Sequence, residues 1–306
     1  MPPAPVSQAS QTRPTGPRVV VPVRHPWRIV SGALVVLLLG LLGYRLATLD
    51  TIDYGSITKY LFQGSITQGV VTTVELALLS QALGIGLGTL LATMRLSPNR
   101  VLSAVSWGYI WFFRGTPLVV QILFWFNAVP QIVGSHLTLG YGPVSLFTGR
   151  TTDLLTVFVA ATLALALNEA AYMAEIVRAG ILSVDTGQTE AAQALGMMPG
   201  LILRRVVLPQ AMRVVIPPTG NEFISMLKNT SLIVVIGQVE LLGRAEGISS
   251  QSGEVFELLV MASLWYLALT SVAYVGQYYL ERRFARGSAH TLTRTPLQRV
   301  RQGLAR

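Results

Sequence analysis

Six predominantly apolar stretches divide this chain, at about 27–48, 66–94, 108–131, 153–177, 212–236 and 257–280. Each approaches the ~20 residues that a helix needs to cross a hydrocarbon core of roughly 30 Å. Backbone polar groups in lipid must be satisfied within their own segment, so such runs form helices. The pattern predicts an all-α integral membrane protein with about six transmembrane helices. One polar island interrupts it, Ser183 to Pro209, SVDTGQTEAAQALGMMPGLILRRVVLP, carrying Asp185, Gln188, Glu190, Arg204 and Arg205. It predicts two short helices broken at Gly196 and Pro199. Asp185 or Thr186 supplies the first cap, Gly196 suits the left-handed position that ends a helix, and Pro199 suits the first turn of the next. Ala191, Ala192 and Ala194 give the first helix a face of little bulk, fit for a groove on another protein, and Glu190 stands near its start, where the helix dipole favours an acid.

Local signals refine the spans. Gly84 and Gly88 form a GxxxG pair in the second, which predicts close helix packing. Arg114, Gly115 and Pro117 interrupt the third, predicting a short interfacial helix, a bend and then the membrane segment. Residues 1–26, rich in Pro, Ser, Gln and Arg, read as a disordered cytoplasmic tail. The apolar run from Trp27 to Leu49 is too long for a signal-peptide core and predicts a retained first helix.

Composition agrees with membrane burial: 51% hydrophobic and only 12% charged residues, against about 25% charged in a soluble domain. The net charge of +9 is spread over chain ends and turns rather than gathered in a nucleic-acid patch. Basic residues crowd the N-terminal tail, the turn with Arg95 and Arg100, the polar island and the C-terminal tail; the three alternate loops hold only Lys59, Arg150 and Arg244. By the positive-inside rule both termini and the island face the cytoplasm. The absence of cysteine excludes disulfides, thiolate metal sites and cysteine nucleophiles. His25, His136 and His290 are too scattered to suggest a metal site.

Ionisable groups at membrane depth cost about 2.5–3.5 kcal/mol on insertion scales and need a reason. Glu75, Arg114, Glu169, Glu175, Glu222 and Lys228 fall in this class. Glu175 and Arg178, three apart, predict a helix-surface ion pair, and Arg114 a snorkelling, structural role. Asn168, Glu169 and Tyr172 lie in one span and offer an amide, a carboxylate and a hydroxyl, a set suited to a polar amino acid. Gln121, Asn127, Glu222, Lys228 and Asn229 complete a candidate lining; interhelical hydrogen bonding is the competing reading.

The spacing Glu190-Ala191-Ala192, three residues, Gly196, nine residues, Val206, one residue, Leu208-Pro209 resembles the EAA signature of ABC-importer permeases. Val206 stands where that signature usually has Ile. FRGTPLVVQILFWF (113–126), ALALNEAAYMAEIVRAGI (164–181) and GNEFISMLKNTSLIVVIG (220–237) extend the resemblance over about 65–285, to permeases for polar amino acids of the histidine/glutamine/glutamate/arginine group. It implies a type I ABC-importer transmembrane domain: a five-helix core at 65–285 with its coupling loop at 183–209, an extra N-terminal helix and outer loop at 27–64, and a basic cytoplasmic tail at 286–306. It implies that Glu190, Ala191, Ala192, Gly196, Leu208 and Pro209 dock on an ATPase. It also implies that substrate passes near Asn168, Glu169, Tyr172, Gln121, Glu222 and Lys228.

The chain has no phosphate loop: neither lysine, Lys59 nor Lys228, follows glycine or precedes Ser or Thr. The expectation is therefore a transport subunit of the bacterial cytoplasmic membrane with no cofactor of its own, ATP and Mg being bound by separate ATPase chains. Further expected partners are a second permease copy or sister permease, a solute-binding protein at the outer loops 49–65, 131–152 and 237–256, an amino-acid substrate leaning to glutamate or glutamine, and membrane lipid, but no nucleic acid. An ion-coupled secondary carrier is the alternative, though it calls for an inverted repeat that the chain does not display. A membrane enzyme lacks a catalytic constellation.

Overall fold

The computed structural model describes residues 26–48, 53–134, 136–141 and 144–284. Both expected tails lie outside the described residues, apart from Pro26. By contact the chain forms two units, 1–52 and 53–306. The first contains α1 (Pro26–Ala47), a 22-residue helix with exposed Leu and Val along its middle.

The second unit opens with α2 (Tyr54–Leu61), capped by the Asp53 carboxylate on Gly55 N–H, and α3 (Gly64–Arg95). There follow α4 (Arg100–Gly115), with Asn99 capping Val101 N–H, and α5 (Leu118–Val133). These two helices meet at a bend of 106°. The bend falls where Gly115 and Pro117 predict it, because proline has no N–H to continue the ladder. The first limb is more than an interfacial helix: α4 runs back antiparallel along α3, with Ser106 Oγ donating to Leu91 O at 2.7 Å and Arg95 Nη1 to Ser103 Oγ at 2.9 Å.

The expected all-helical chain contains one small departure. Strands β1 (His136–Tyr141) and β2 (Val144–Arg150) pair antiparallel, His136 opposite Arg150, with an irregularity between Leu139 and Gly140. A single turn, Thr151–Leu154, leads to α6 (Val157–Leu182), whose start is capped by the Thr156 hydroxyl. The helix begins four residues beyond the start expected from hydropathy, because Thr151–Leu154 forms a separate turn and Thr156 caps the new start.

Then come α7 (Thr186–Ala194), α8 (Pro199–Ile236), α9 (Leu241–Ser252) and α10 (Val255–Phe284). The second short helix of the polar island does not end at Pro209, as the sequence suggests, but continues into the membrane segment as α8. A π turn at Leu203–Val207 precedes Pro209, and a second π turn in α5, Phe124–Ala128, precedes Pro130. A widened turn releases the carbonyl that a proline ring would strike. In both places an amide side chain satisfies a nearby carbonyl: Gln210 Nε2 donates to Val206 O at 3.0 Å, and Asn127 Nδ2 to Leu123 O at 2.9 Å.

Helices α3 and α6 pack in parallel. Ser80 meets Thr162, Gly84 meets Ala166 and Glu169, and Gly88 meets Ala170 and Met173. The glycine pair is thus a packing device: a Cβ on Gly88 would stand 2.5 Å from Met173 Cβ and 2.8 Å from Ala170 O. The core between α3, α5, α6 and α8 gathers Leu76, Ile122, Leu165, Met226 and Ile233. At the opposite end from Arg95, Glu240 is fully buried and ties three helices together. Its carboxylate caps α9 on Leu242 and Gly243 N–H and accepts from Thr73 Oγ1 of α3 at 2.9 Å and Tyr266 Oη of α10 at 2.6 Å.

Each segment expected to be an outer loop contains regular structure, α2, the β-hairpin and α9 respectively. Helix α2 is held to α10 by Trp265 Nε1 donating to Leu61 O at 2.8 Å and by an edge-on Phe62–Trp265 pair.

Candidate functional site

Two groups of residues emerge, one at an end of the bundle and one inside it. The end group is α7 and the turn after it. Asp185 Oδ1 accepts from Gly187 N–H at 2.7 Å, so Asp185 rather than Thr186 is the cap. Gly196 takes φ +74°, Gly196 N–H reaches Gln193 O at 2.9 Å and Met197 N–H reaches Ala192 O at 3.1 Å. This pair of bonds is the Schellman closure that satisfies the last carbonyls of a helix. Pro199 then opens α8 at its first position.

Ala192 is buried within the chain, whereas Glu190, Ala191 and Gly196 face outward and Leu208 and Pro209 are exposed on the first turns of α8. The small residues that the sequence singles out are not the largest features of this surface. Leu195 is 83% exposed and Met198 78%. Together with Leu201 and Leu203 they leave apolar side chains standing at a polar tip, where burial by a partner is worth about 1.5–3 kcal/mol for each large side chain. Their signal in the sequence, two apolar residues flanking the Gly196 turn, was available but carries no direction without the fold.

The inner group joins α4, α6 and α8. Glu169 is 4% exposed, its Oε1 accepts from Gln81 Nε2 at 3.1 Å, and its methylenes lie against Gly84. Its carboxylate interacts electrostatically with Glu222, which in turn interacts with Arg114. The Arg114 guanidinium stands 5.2 Å from the ring centroid of Tyr172, a cation–π distance. Glu169, Tyr172, Glu222 and Arg114 therefore form one polar cluster. The sequence predicts a structural, snorkelling role for Arg114; the packing of α4 against α6 brings it into this group.

Asn168 and Gln121 are also brought together, but their amides are engaged. Asn168 Nδ2 donates to Phe113 O and to Gln121 Oε1, both at 3.1 Å, and Gln121 Nε2 donates to Phe113 O at 2.9 Å and Thr116 Oγ1 at 2.7 Å. They satisfy carbonyl and hydroxyl groups around the α4–α5 break, the interhelical bonding that competed with substrate contact. Lys228 is exposed and lies six residues, about 9 Å, further along α8 than Glu222. Asn127 caps its own helical turn as described above, and Glu75 is exposed on α3. Glu175 and Arg178 form the expected ion pair at 2.7 Å. Among the described residues no cluster of His, Asp or Glu suits a metal ion.

Proteins described as the binding-protein-dependent transport system inner membrane component match residues 84–286 of this chain. The arginine transport system permease protein ArgU of Corynebacterium glutamicum is 47% identical over 278 residues, covering 89% of this chain and 84% of the relative. The nopaline transport system permease protein NocM of Agrobacterium fabrum is 39% identical over 203 residues, covering 66% and 80%. A solved structure of an amino acid ABC transporter with histidines is similar with a TM-score of 0.65 and 34% identity, covering 76% of this chain and 99% of that one.

Proposed function

This chain belongs to the family of binding-protein-dependent transport system inner membrane components, and we propose that it is the permease of an ABC importer for a cationic amino acid of the arginine class. It is a multi-pass membrane transport component. An ion-coupled carrier gains no support from the family or from the relatives.

The observation that carries the substrate reading is the placing of the Glu169 and Glu222 carboxylates within electrostatic reach of each other, two acids that suit a guanidinium or ammonium group, with Arg114 held against the Tyr172 ring beside them. The 47% identity to an arginine permease supports the same class. This reading departs from the glutamate or glutamine that the sequence alone favours, since a second carboxylate on the same cluster would repel an acidic side chain. Arg114 then serves the substrate's own carboxylate.

Separate ATPase chains bind ATP and Mg and dock at Glu190, Ala191, Leu195, Gly196 and Met198, with Leu208 and Pro209 at the base of the docking element. Closure of the ATPases moves α7 as a rigid body. Helix α8, continuous from Pro199 into the membrane, carries the displacement to Glu222. A solute-binding protein delivers substrate on the opposite side, at α2, the hairpin and α9. Both termini face the cytoplasm, and a second permease completes the pathway.

The test is uptake of labelled arginine by the reconstituted importer, competed by ornithine, glutamine and glutamate in turn. Arginine and ornithine should compete and glutamate should not. Glu169→Gln preserves an acceptor for Gln81, and should lower uptake about tenfold, the loss of one charge-assisted contact, with ATPase assembly intact. Uptake of glutamine with no arginine uptake would overturn the substrate class.

A further inference from the structure

The hairpin formed by α3, the turn at 96–99 and α4 carries an excess of positive charge that the transport cycle does not use. Residues 95–114 contain Arg95, Arg100 and Arg114 and no acid. Arg114 belongs to the inner cluster; Arg95 and Arg100 have no carboxylate partner among the described residues, where the single ion pair is Glu175–Arg178.

Two adjoining grooves open on this hairpin. One, of about 400 Å³, is lined by Arg95, Ser97, Arg100, Ser103 and Trp107. The next, of about 490 Å³, shares Arg95 and Trp107 and continues past Trp111 to Arg114 and the Glu175–Arg178 ion pair on α6. Ser103 accepts from Arg95 Nη1 at 2.9 Å and donates back to Arg95 O at 3.2 Å, so the guanidinium is held in place with donors to spare. Trp107 and Trp111 stack at 6.2 Å with their rings 13° from parallel, and are 54% and 66% exposed. Val101 and Val105 are exposed elsewhere on α4, at 69% and 57%, outside both grooves.

We propose that Arg95 and Arg100 bind the phosphate of an anionic phospholipid, with Trp107 and Trp111 receiving its glycerol backbone and acyl chains. Guanidinium groups match phosphate oxygens in geometry and charge. Tryptophans at the end of a membrane helix sit at headgroup depth. Basic pockets between membrane helices take acidic headgroups. The apolar wall favours a lipid over a free phosphate ion, which would leave those side chains in water. The like charges oppose the pairing of this strip with its own copy. The site lies at the same end of the bundle as α7, since α3 and α6 run parallel and end together. It rests on membrane embedding alone and is independent of the substrate class.

The purified permease–ATPase complex is reconstituted into vesicles of phosphatidylcholine with brominated phosphatidylglycerol, and separately into vesicles with the bromine on phosphatidylcholine. At equal mole fraction the brominated phosphatidylglycerol should quench tryptophan fluorescence more strongly. Equal quenching by wild-type protein overturns the proposal without recourse to any variant. Arg95→Gln with Arg100→Gln should remove the preference, about fivefold for each arginine. Arg282→Gln with Arg283→Gln, an exposed pair at the end of α10, should leave it intact. Loss of preference in both double variants would mean diffuse charge and no site. Displacement of the lipid by millimolar inorganic phosphate would make the ligand a soluble anion. Loss of permease pairing with unchanged lipid preference would make the strip a subunit interface. Each of these three results sinks the lipid assignment.

Discussion

At the scale of the residue, close approach sets the strictest conditions. Gly88 lets α3 lie on Ala170 and Met173 of α6, and one of those obstacles is a backbone carbonyl that cannot move aside. Gly88→Ala should therefore destabilise the protein by about 1–3 kcal/mol, the cost of overpacking a tight contact. Gly86, two residues earlier, has nothing within 4 Å of its would-be Cβ, so Gly86→Ala should be neutral or slightly stabilising. Thermal melts of the two variants in detergent separate the cases, and equal melting points would show that the α3–α6 contact is looser than drawn. The GxxxG spacing is legible in the sequence; which neighbour fills the gap is not. The same limit applied to Arg114. Its charge is visible in the sequence, but its place beside Tyr172 depends on how α4 packs against α6, which no local signal encodes.

At the scale of the element, the α7 turn shows how local chemistry positions a surface. The Asp185 cap, the Gly196 left-handed residue and Pro199 fix where the chain turns, and all three were readable. Leu195 and Met198 then protrude. Leu195→Asp with Met198→Asp should leave membrane insertion unchanged while abolishing co-purification of the ATPase and substrate-stimulated ATP hydrolysis. Retained stimulation would remove these two side chains from the docking surface.

Helix α2 offers a different test. Ser56 Oγ lies 2.8 Å from Asp53 Oδ2 and 2.7 Å from Glu254 Oε1, and its single hydrogen serves one at a time. A hydrogen bond from that hydroxyl is the largest cause that holds each carboxyl below its ordinary range, for one of them at a time. A carboxyl with a depressed folded pKa stabilises the protein above its unfolded value, near 4, and that stabilisation is lost as pH falls through the lower folded value. Ser56→Ala should thus be less stable than wild type at neutral pH, and the difference should shrink below about pH 4. A difference in melting temperature that stays constant down to pH 3 would contradict the assignment.

At the scale of the whole molecule, the two contact units divide the chain at Ile52. The family match begins at residue 84, beyond α1, whereas the alignment to ArgU, 89% of this chain, takes in part of α1. A chain lacking residues 1–48 should still assemble with its ATPase and transport substrate; loss of assembly, measured by co-purification, would make α1 part of the working core.

The sequence by itself determined the membrane class, the number of apolar helices, the bend at Pro117 and the site of the polar turn. These follow from hydrophobic length, from missing proline donors and from glycine's freedom, all of which act within a few residues. Tertiary structure decided the rest. It made Pro209 part of a continuous helix through a π turn and ordered α2, the hairpin and α9 where loops were expected. It engaged Asn168 and Gln121 at the α4–α5 break, and it gathered Glu169, Glu222, Tyr172 and Arg114 from three helices into one cluster. Contacts between residues many positions apart depend on how helices rotate and lean on one another. That orientation is set by the sum of packing across the core, which no single stretch of sequence contains.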